Sequence, residues 1–322
     1  MSGPLPEGET RRGLPYHLIL RGGRPGWWRA VLGVVILLIG MLIFAPVLWQ
    51  IPFGIGFALD GQEVVSSVDR LLELDRPTPL GLAYLNLVLA SAIPLTWFIV
   101  RVVHGLRPRW LASVFPKLRW RFLLACFGLS LAALVATLVV SAMLPAQDTG
   151  AEVSSTLNDF TRTTRDFLLV VVFLTPLQAA GEEYAFRGYL TQAFGGLFGS
   201  RVVAVVVPAF LFGLAHGVGQ SIPIFFDRFA FGLVAGVLVI LTGGLEAGIA
   251  MHVLNNWLAF GLALAYGDMA TTLNPTGGTW WSIPVTLTQS LVYLGLALLV
   301  ARRMGLGTTT DPVVLEVPRR RR

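Results

Sequence analysis

Residues 167–190 read FLLVVVFLTPLQAAGEEYAFRGYL. The apolar run from Phe167 to Leu174 has the composition of a membrane span, yet it leads straight into Glu182, Glu183 and Arg187. A charge at the centre of a bilayer costs at least ~2.5–3.5 kcal/mol, so ionisable groups inside a span face the bundle interior and mark functional sites. The fold question therefore turns on whether a helix carries these three groups into the membrane. The whole chain argues that it does. Its 322 residues are 55% hydrophobic and 13% charged, with a mean hydropathy of +0.71. Soluble domains carry about 25% charged residues.

Working outward from that stretch, hydropathy marks off spans of about 20 apolar residues. They fall near 28–49, 80–103 and 122–144, then in the stretch beginning at Phe167, then near 202–215, 225–241, 247–265 and 283–301. The count is about eight, and the fold class is an all-α polytopic membrane helical bundle. Basic residues crowd the lead-in, the segment Arg101–Arg121 and the C-terminal tail, whereas the stretches after the first and third spans are mixed or acidic. The positive-inside rule then places both termini in the cytoplasm of a plasma-membrane protein, which requires an even number of crossings. Trp110, Phe115 and Trp120 interleave the basic residues of 101–121, a pattern expected of an interfacial anchor.

Residues 1–26 read as a basic cytoplasmic lead-in and 27–304 as one membrane domain with a motif-bearing core at 167–265. Residues 305–322 read as a disordered basic tail. The formal charge of +6 suits lipid headgroups rather than nucleic acid, because the arginines mostly flank the apolar runs. Cys126 is the sole cysteine, so the chain has no disulfide framework and no cysteine metal cage. It reads as a small lipid- or core-facing residue.

Four histidines occur. His17 and His104 lie in basic segments and read as solvated residues at headgroup level. His216 and His252 lie inside apolar runs, in FLFGLAHG and AGIAMHVLNNWLAF. At about 100° per residue, Glu183 and Arg187 share a helix face and can pair, while Glu182 points elsewhere. Phe212 and His216 also stand four apart, as do His252 and Asn256, so Phe212 packs beneath His216. Three helices can thus present polar groups to one cavity. Each piece alone has a structural reading: a neutralised ion pair, a packed histidine, or interhelical amides at Asn255 and Asn256.

The ordered set of EEYAFR (182–187), FGLAH (212–216) and HVLNN (252–256) resembles the CPBP family of intramembrane proteases. That family takes in type II CAAX prenyl endopeptidases, bacteriocin-processing enzymes and abortive-infection-like proteins. The resemblance implies an eight-helix endopeptidase that hydrolyses a peptide bond of a membrane-associated protein or peptide. It implies Glu182 as the base that activates water, with His216 as its partner in polarising that water. His252 and Asn256 would stabilise the oxyanion, with Glu183 and Arg187 in support. The chemistry is self-consistent, since amide hydrolysis needs an activated water, a proton donor and oxyanion donors.

Two mechanisms stay open. Glu182, His216 and His252 are of the types that make a two-histidine, one-glutamate zinc site; a metal-free glutamate mechanism is the favoured alternative. A non-catalytic immunity or scaffold protein, or a proton-coupled transporter, would use the same polar residues differently. Substrate identity, any prenyl requirement and oligomeric state are not encoded legibly.

One geometric demand follows from the spacing. A helix ending at Arg187 would leave Glu182 near the membrane surface, while His216 lies about 22 Å beyond Arg201 at 1.5 Å per residue. The helix must therefore continue through the motif to about Gly195, kinked at Pro176. His252, six residues after Glu246, further requires the turn at Gly243–Gly244 to lie recessed in protein, which is allowed where backbone lines a cavity.

Overall fold

The computed structural model describes residues 13–144, 156–217, 221–274 and 279–311. It is built from helices, with no strand among the described residues. Seven are long and apolar enough to cross a membrane: α1 (Trp27–Leu59), α3 (Pro79–Val102), α4 (Trp120–Met143), α5 (Arg162–Phe198), α7 (Ile222–Thr242), α8 (Glu246–Tyr266) and α10 (Ser282–Arg303). Between them lie the short α2 (Val64–Leu71), α6 (Arg201–Ala215) and α9 (Met269–Leu273). The sequence count of eight includes α6, which at 15 residues is shorter than expected of a span. Leu42, Phe44, Leu124, Val135 and Val202 point outward, as side chains in contact with lipid do.

The helix that carries the opening stretch does run through it. Thr161 and Thr164 form a reciprocal cap at the start of α5, which satisfies orphan backbone donors there. Pro176 follows a junction at Leu174, whose carbonyl accepts from both Leu177 and Gln178 (3.0 Å each). The helix then widens to π-helical geometry over Glu183–Leu190 before returning to α geometry and ending at Gly199. The sequence reading expected the kink at Pro176 but took the motif itself at α-helical spacing. Such widened turns recur at functional sites.

Hydrogen bonds tie the loops into two ends. At one end Leu14 accepts from Thr310 (2.9 Å), Arg24 donates to His104 (2.8 Å), Val114 to Gly243 (2.8 Å) and Leu245 to Ala112 (2.9 Å). Tyr16 bonds the carbonyl of Leu111, and Arg21 that of Gly196 at 2.8 Å. At the other end Asn158 bonds Ala265 (2.8 Å) and Gly267 (3.0 Å), and Asn274 bonds Asp75 (3.3 Å). Both described chain ends therefore lie at the same end of the bundle. The apolar α6 falls short of the seven candidate spans in length.

The first end is better packed than the sequence suggested. Residues 110–114 of the basic segment are buried, with Leu111 and Ser113 wholly so, instead of lying in the interface. Of its three interleaved aromatics, Trp110 is buried while Phe115 and Trp120 are exposed. His17 and His104 are likewise buried rather than solvated, and His104 pairs with the Tyr189 hydroxyl at 3.1 Å. The expected disordered tail also begins later: Thr310 is buried and bonds Leu14 through backbone and side chain. Residues 312–322, and 145–155 of the acidic loop, lie outside the described residues. Cys126 is wholly buried in the core.

The recessed turn is present. Gly243–Gly244 and every residue of α8 from Glu246 to Val253 are buried. Arg119 spans the turn, donating from its backbone and Nε to Glu246 Oε1 (2.8 and 2.9 Å), from NH1 to the Thr242 carbonyl (2.8 Å) and from NH2 to Glu246 Oε2 (2.6 Å). Covered in this way, α8 packs against both α4 and the middle of α5.

Candidate active site

Two glycines let the helices approach closely at the motif. A Cβ on Gly181 would lie 2.4 Å from the Leu89 carbonyl, so α5 meets α3 backbone to backbone just before Glu182. A Cβ on Gly248 would lie 2.7 Å from Glu183 Oε2, so α8 passes directly over that carboxylate. His252 follows one turn later on the same face as Gly248.

The imidazole of His252 sits between the two adjacent acids. Its Nδ1 lies 2.9 Å from Glu183 Oε1 and its Nε2 lies 3.5 Å from Glu182 Oε2. The sequence had Glu182 free to face a different partner, but both carboxylates turn toward one ring. Glu183 is 0% exposed and Arg187 1%, with NH1 of Arg187 at 3.0 Å from Glu183 Oε1. The guanidinium also stacks 4.0 Å over the Phe212 ring, a cation–π contact that favours a desolvated cation.

Sequence reasoning missed Gln178. Its amide donates to Glu182 Oε1 at 2.8 Å, and its carbonyl accepts from Asn256 Nδ2 at 3.0 Å. One side chain thus fixes the acid and the carboxamide together. The signal was available, since Gln178 stands four residues before Glu182 on α5 and so shares its face.

His216 stands at the end of α6. It caps α6, its Nδ1 2.8 Å from the Phe212 carbonyl. Its ring packs on Phe212 (centroids 4.5 Å apart), as expected. Phe212 also touches His252 (5.9 Å) and so stands against both imidazoles. His252 is the imidazole at ion-pair distance from Glu182, while His216, farther than that, still lies within reach of the Glu182 charge. The two histidines and Asn256 nonetheless line one cleft between α6, α7, α8 and α10. The zinc reading fares worse. No three His, Cys, Asp or Glu side chains among the described residues are grouped to hold a metal ion. Both ring nitrogens of His252 already face carboxylates, so the structure gives no support for a metalloendopeptidase.

Fold and site together define a multi-pass membrane protein with an acid–imidazole–amide cluster inside its helical bundle. The family described as type II CAAX prenyl endopeptidase Rce1-like matches residues 164–258, the stretch that holds all three motifs, and bears out the resemblance read from them. A relative from Bacillus subtilis (strain 168), the uncharacterized protein YyaK, is 26% identical over 232 residues, 68% of this chain and 76% of its own. No solved structure matches. The match supports a CAAX-protease-like function within the membrane.

Proposed function

We propose that the protein is an intramembrane endopeptidase that hydrolyses a peptide bond of a membrane-associated protein or peptide, with Glu182 activating the water. The observation that carries this reading is the pairing of Glu182 with His252 beside the cleft. Oε1 of Glu182 is held by Gln178. Its buried Oε2 makes no hydrogen bond and faces the His252 ring. A carboxylate oxygen fixed in this way is a competent acceptor for the proton of an attacking water.

His252 adds a constraint on protons. A neutral imidazole donates from one nitrogen only, yet both of its nitrogens face carboxylate oxygens. His252 thus holds a ring proton between the two acids. That proton is available to the leaving amine once Glu182 has taken one from water. Asn256, held by Gln178, and His216 at the rim supply donors for the oxyanion. Such preorganised donors in a water-poor site lower the barrier strongly. Glu183 and Arg187 orient His252 and balance its charge. The plasma membrane, with the chain ends cytoplasmic, is the proposed location.

The test is substrate trapping with Glu182→Gln in native membranes, followed by mass spectrometry of peptides retained by the variant and cut by the wild-type protein. Peptides that accumulate uncut only on the variant support the reading. An unchanged cellular phenotype and an unchanged peptide set in Glu182→Gln defeat it, and favour a non-catalytic binding role.

A further inference from the structure

The cleft holds a charged side chain that the proposed hydrolysis does not use. Arg228 lines it together with His216, His252 and Asn256. It lies six residues into α7, about 9 Å from Ile222 at 1.5 Å per residue, on a helix long and apolar enough to cross a membrane. Among the described residues none of the ion pairs includes Arg228, and neither does any of the side-chain hydrogen bonds. Its sequence neighbour Asp227 is engaged with Thr286 of α10 and keeps a buried Oδ1 without a partner. Arg228 is half-buried, whereas the fully buried Arg187 has a carboxylate at 3.0 Å. Arg228 has no carboxylate at ion-pair distance among the described residues; the charge of neighbouring Asp227 acts on it without a direct bond.

A guanidinium within a membrane span is costly unless an anion meets it, and its planar fork matches a carboxylate. The lining around it is polar: Asn255, Gln289 and Ser290 face the same space. These groups suit the amides of a peptide better than lipid chains. From this we propose that Arg228 binds a carboxylate of the substrate peptide, either its chain end or an acidic side chain, and so selects which bond reaches Glu182. Arg228 is then a specificity determinant of the cleft. The cleft residues on α6, α7 and α10 all lie in the half of the bundle remote from the paired chain ends, so the peptide enters from that half. The inference rests on the endopeptidase reading for what occupies the cleft, but its test does not depend on hydrolysis.

The experiment uses Glu182→Gln protein in nanodiscs and three fluorescent pools of apolar peptides of degenerate sequence. One pool is neutral with an amidated end, one has a free C-terminal carboxylate, and one is amidated with a single internal glutamate. By polarisation, one acidic pool binds about tenfold or more tighter than the neutral pool, as a charge-assisted pair gives. Whichever pool gains identifies the source of the carboxylate. In Glu182→Gln/Arg228→Gln the preference disappears, and Arg228→Lys retains part of it. Burial of Cys126 against a thiol reagent verifies that each variant is folded. Equal binding of all pools (absence of binding included), or a preference that survives Arg228→Gln, overturns the inference. So does an Arg228→Gln effect confined to anionic lipids retained on purification. If the Arg228-dependent preference is present but wild-type protein cuts nothing, the endopeptidase reading falls and the carboxylate site stands. If wild-type and Arg228→Gln proteins cut acidic and neutral peptides alike, the reverse holds.

Discussion

Replacing the carboxylate of Glu183 by an amide tests how the membrane interior tolerates the cluster. Glu183→Gln keeps the side-chain shape and an acceptor for His252, but it removes the charge 3.0 Å from Arg187. The guanidinium is then left 1% exposed with aromatic rings as its remaining close neighbours, Phe212 at 4.0 Å and Phe231 at 5.6 Å. Cation–π attraction returns about 2 kcal/mol at best for a desolvated cation, whereas stranding one partner of a buried pair costs about 3–5 kcal/mol. Arg187→Met strands the anion and costs a similar amount. Glu183→Gln/Arg187→Met strands neither, so it is no less stable than the weaker single variant, and the coupling energy is about 2–3 kcal/mol.

The chain carries its own reporter, because Cys126 is its sole cysteine and is wholly buried. Pulse labelling of Cys126 by a fluorogenic maleimide in mixed micelles, across a rising detergent denaturant fraction, gives the unfolding free energy of each variant. Additivity of the two single changes to within about 0.5 kcal/mol would refute the reasoning, for the two charges would then not depend on each other.

Three further outcomes follow from the same contacts. Gln178→Leu cuts the bonds to both Glu182 and Asn256, and is expected to lower kcat by about a hundredfold, as misplacement of reacting groups by roughly 1 Å does; turnover of trapped peptides measures this, with KM little changed. Arg119→Ala leaves Glu246 buried at 0% exposure without its cation, and Cys126 labelling should show about 3–5 kcal/mol of lost stability. Burial and the neighbouring arginines push His17 and His104 down to about 4 from about 6.5 in the unfolded chain. Their folded pKa values are depressed, so the unfolded chain takes up the extra protons: stability is full above about pH 6.5 and is lost progressively toward pH 4, which tryptophan-fluorescence melts should record and His104→Gln should flatten.

Hydropathy made the spans legible because lipid asks one simple thing of a helix surface. The margins of α3, α4, α7 and α8 fall within a few residues of the sequence reading for that reason. The loops were less legible. Arginines interleaved with Trp110, Phe115 and Trp120 look the same whether they rest on headgroups or fold back beneath the bundle. What decides is the tertiary partner, here the carbonyl of Gly243 and the carboxylate of Glu246, and neither is signalled near 101–121. His17 and His104 were misread on the same ground, since a basic neighbourhood does not report burial. At the site, spacing identified the face-sharing residues but not which imidazole meets Glu182. His216 and His252 stand on different helices, and their reach depends on interhelical depth, which periodicity does not encode.

That depth is itself set by the first end of the bundle. Glu183 lies 15 residues before Phe198, about 22 Å along α5, whereas His252 lies six residues after Glu246, about 9 Å along α8. For the two side chains to meet at 2.9 Å, α8 must begin about 13 Å deeper than α5 ends, taking the helix axes as roughly parallel. A helix start at that depth exposes backbone donors and a turn to hydrocarbon unless protein covers them. Residues 110–119 provide that cover, with the Val114–Gly243 and Leu245–Ala112 bonds closing over the turn and Arg119 holding Glu246. The basic segment acts on the site from a distance: it lets α8 start low enough for His252 to stand between two acids that the membrane would otherwise not tolerate.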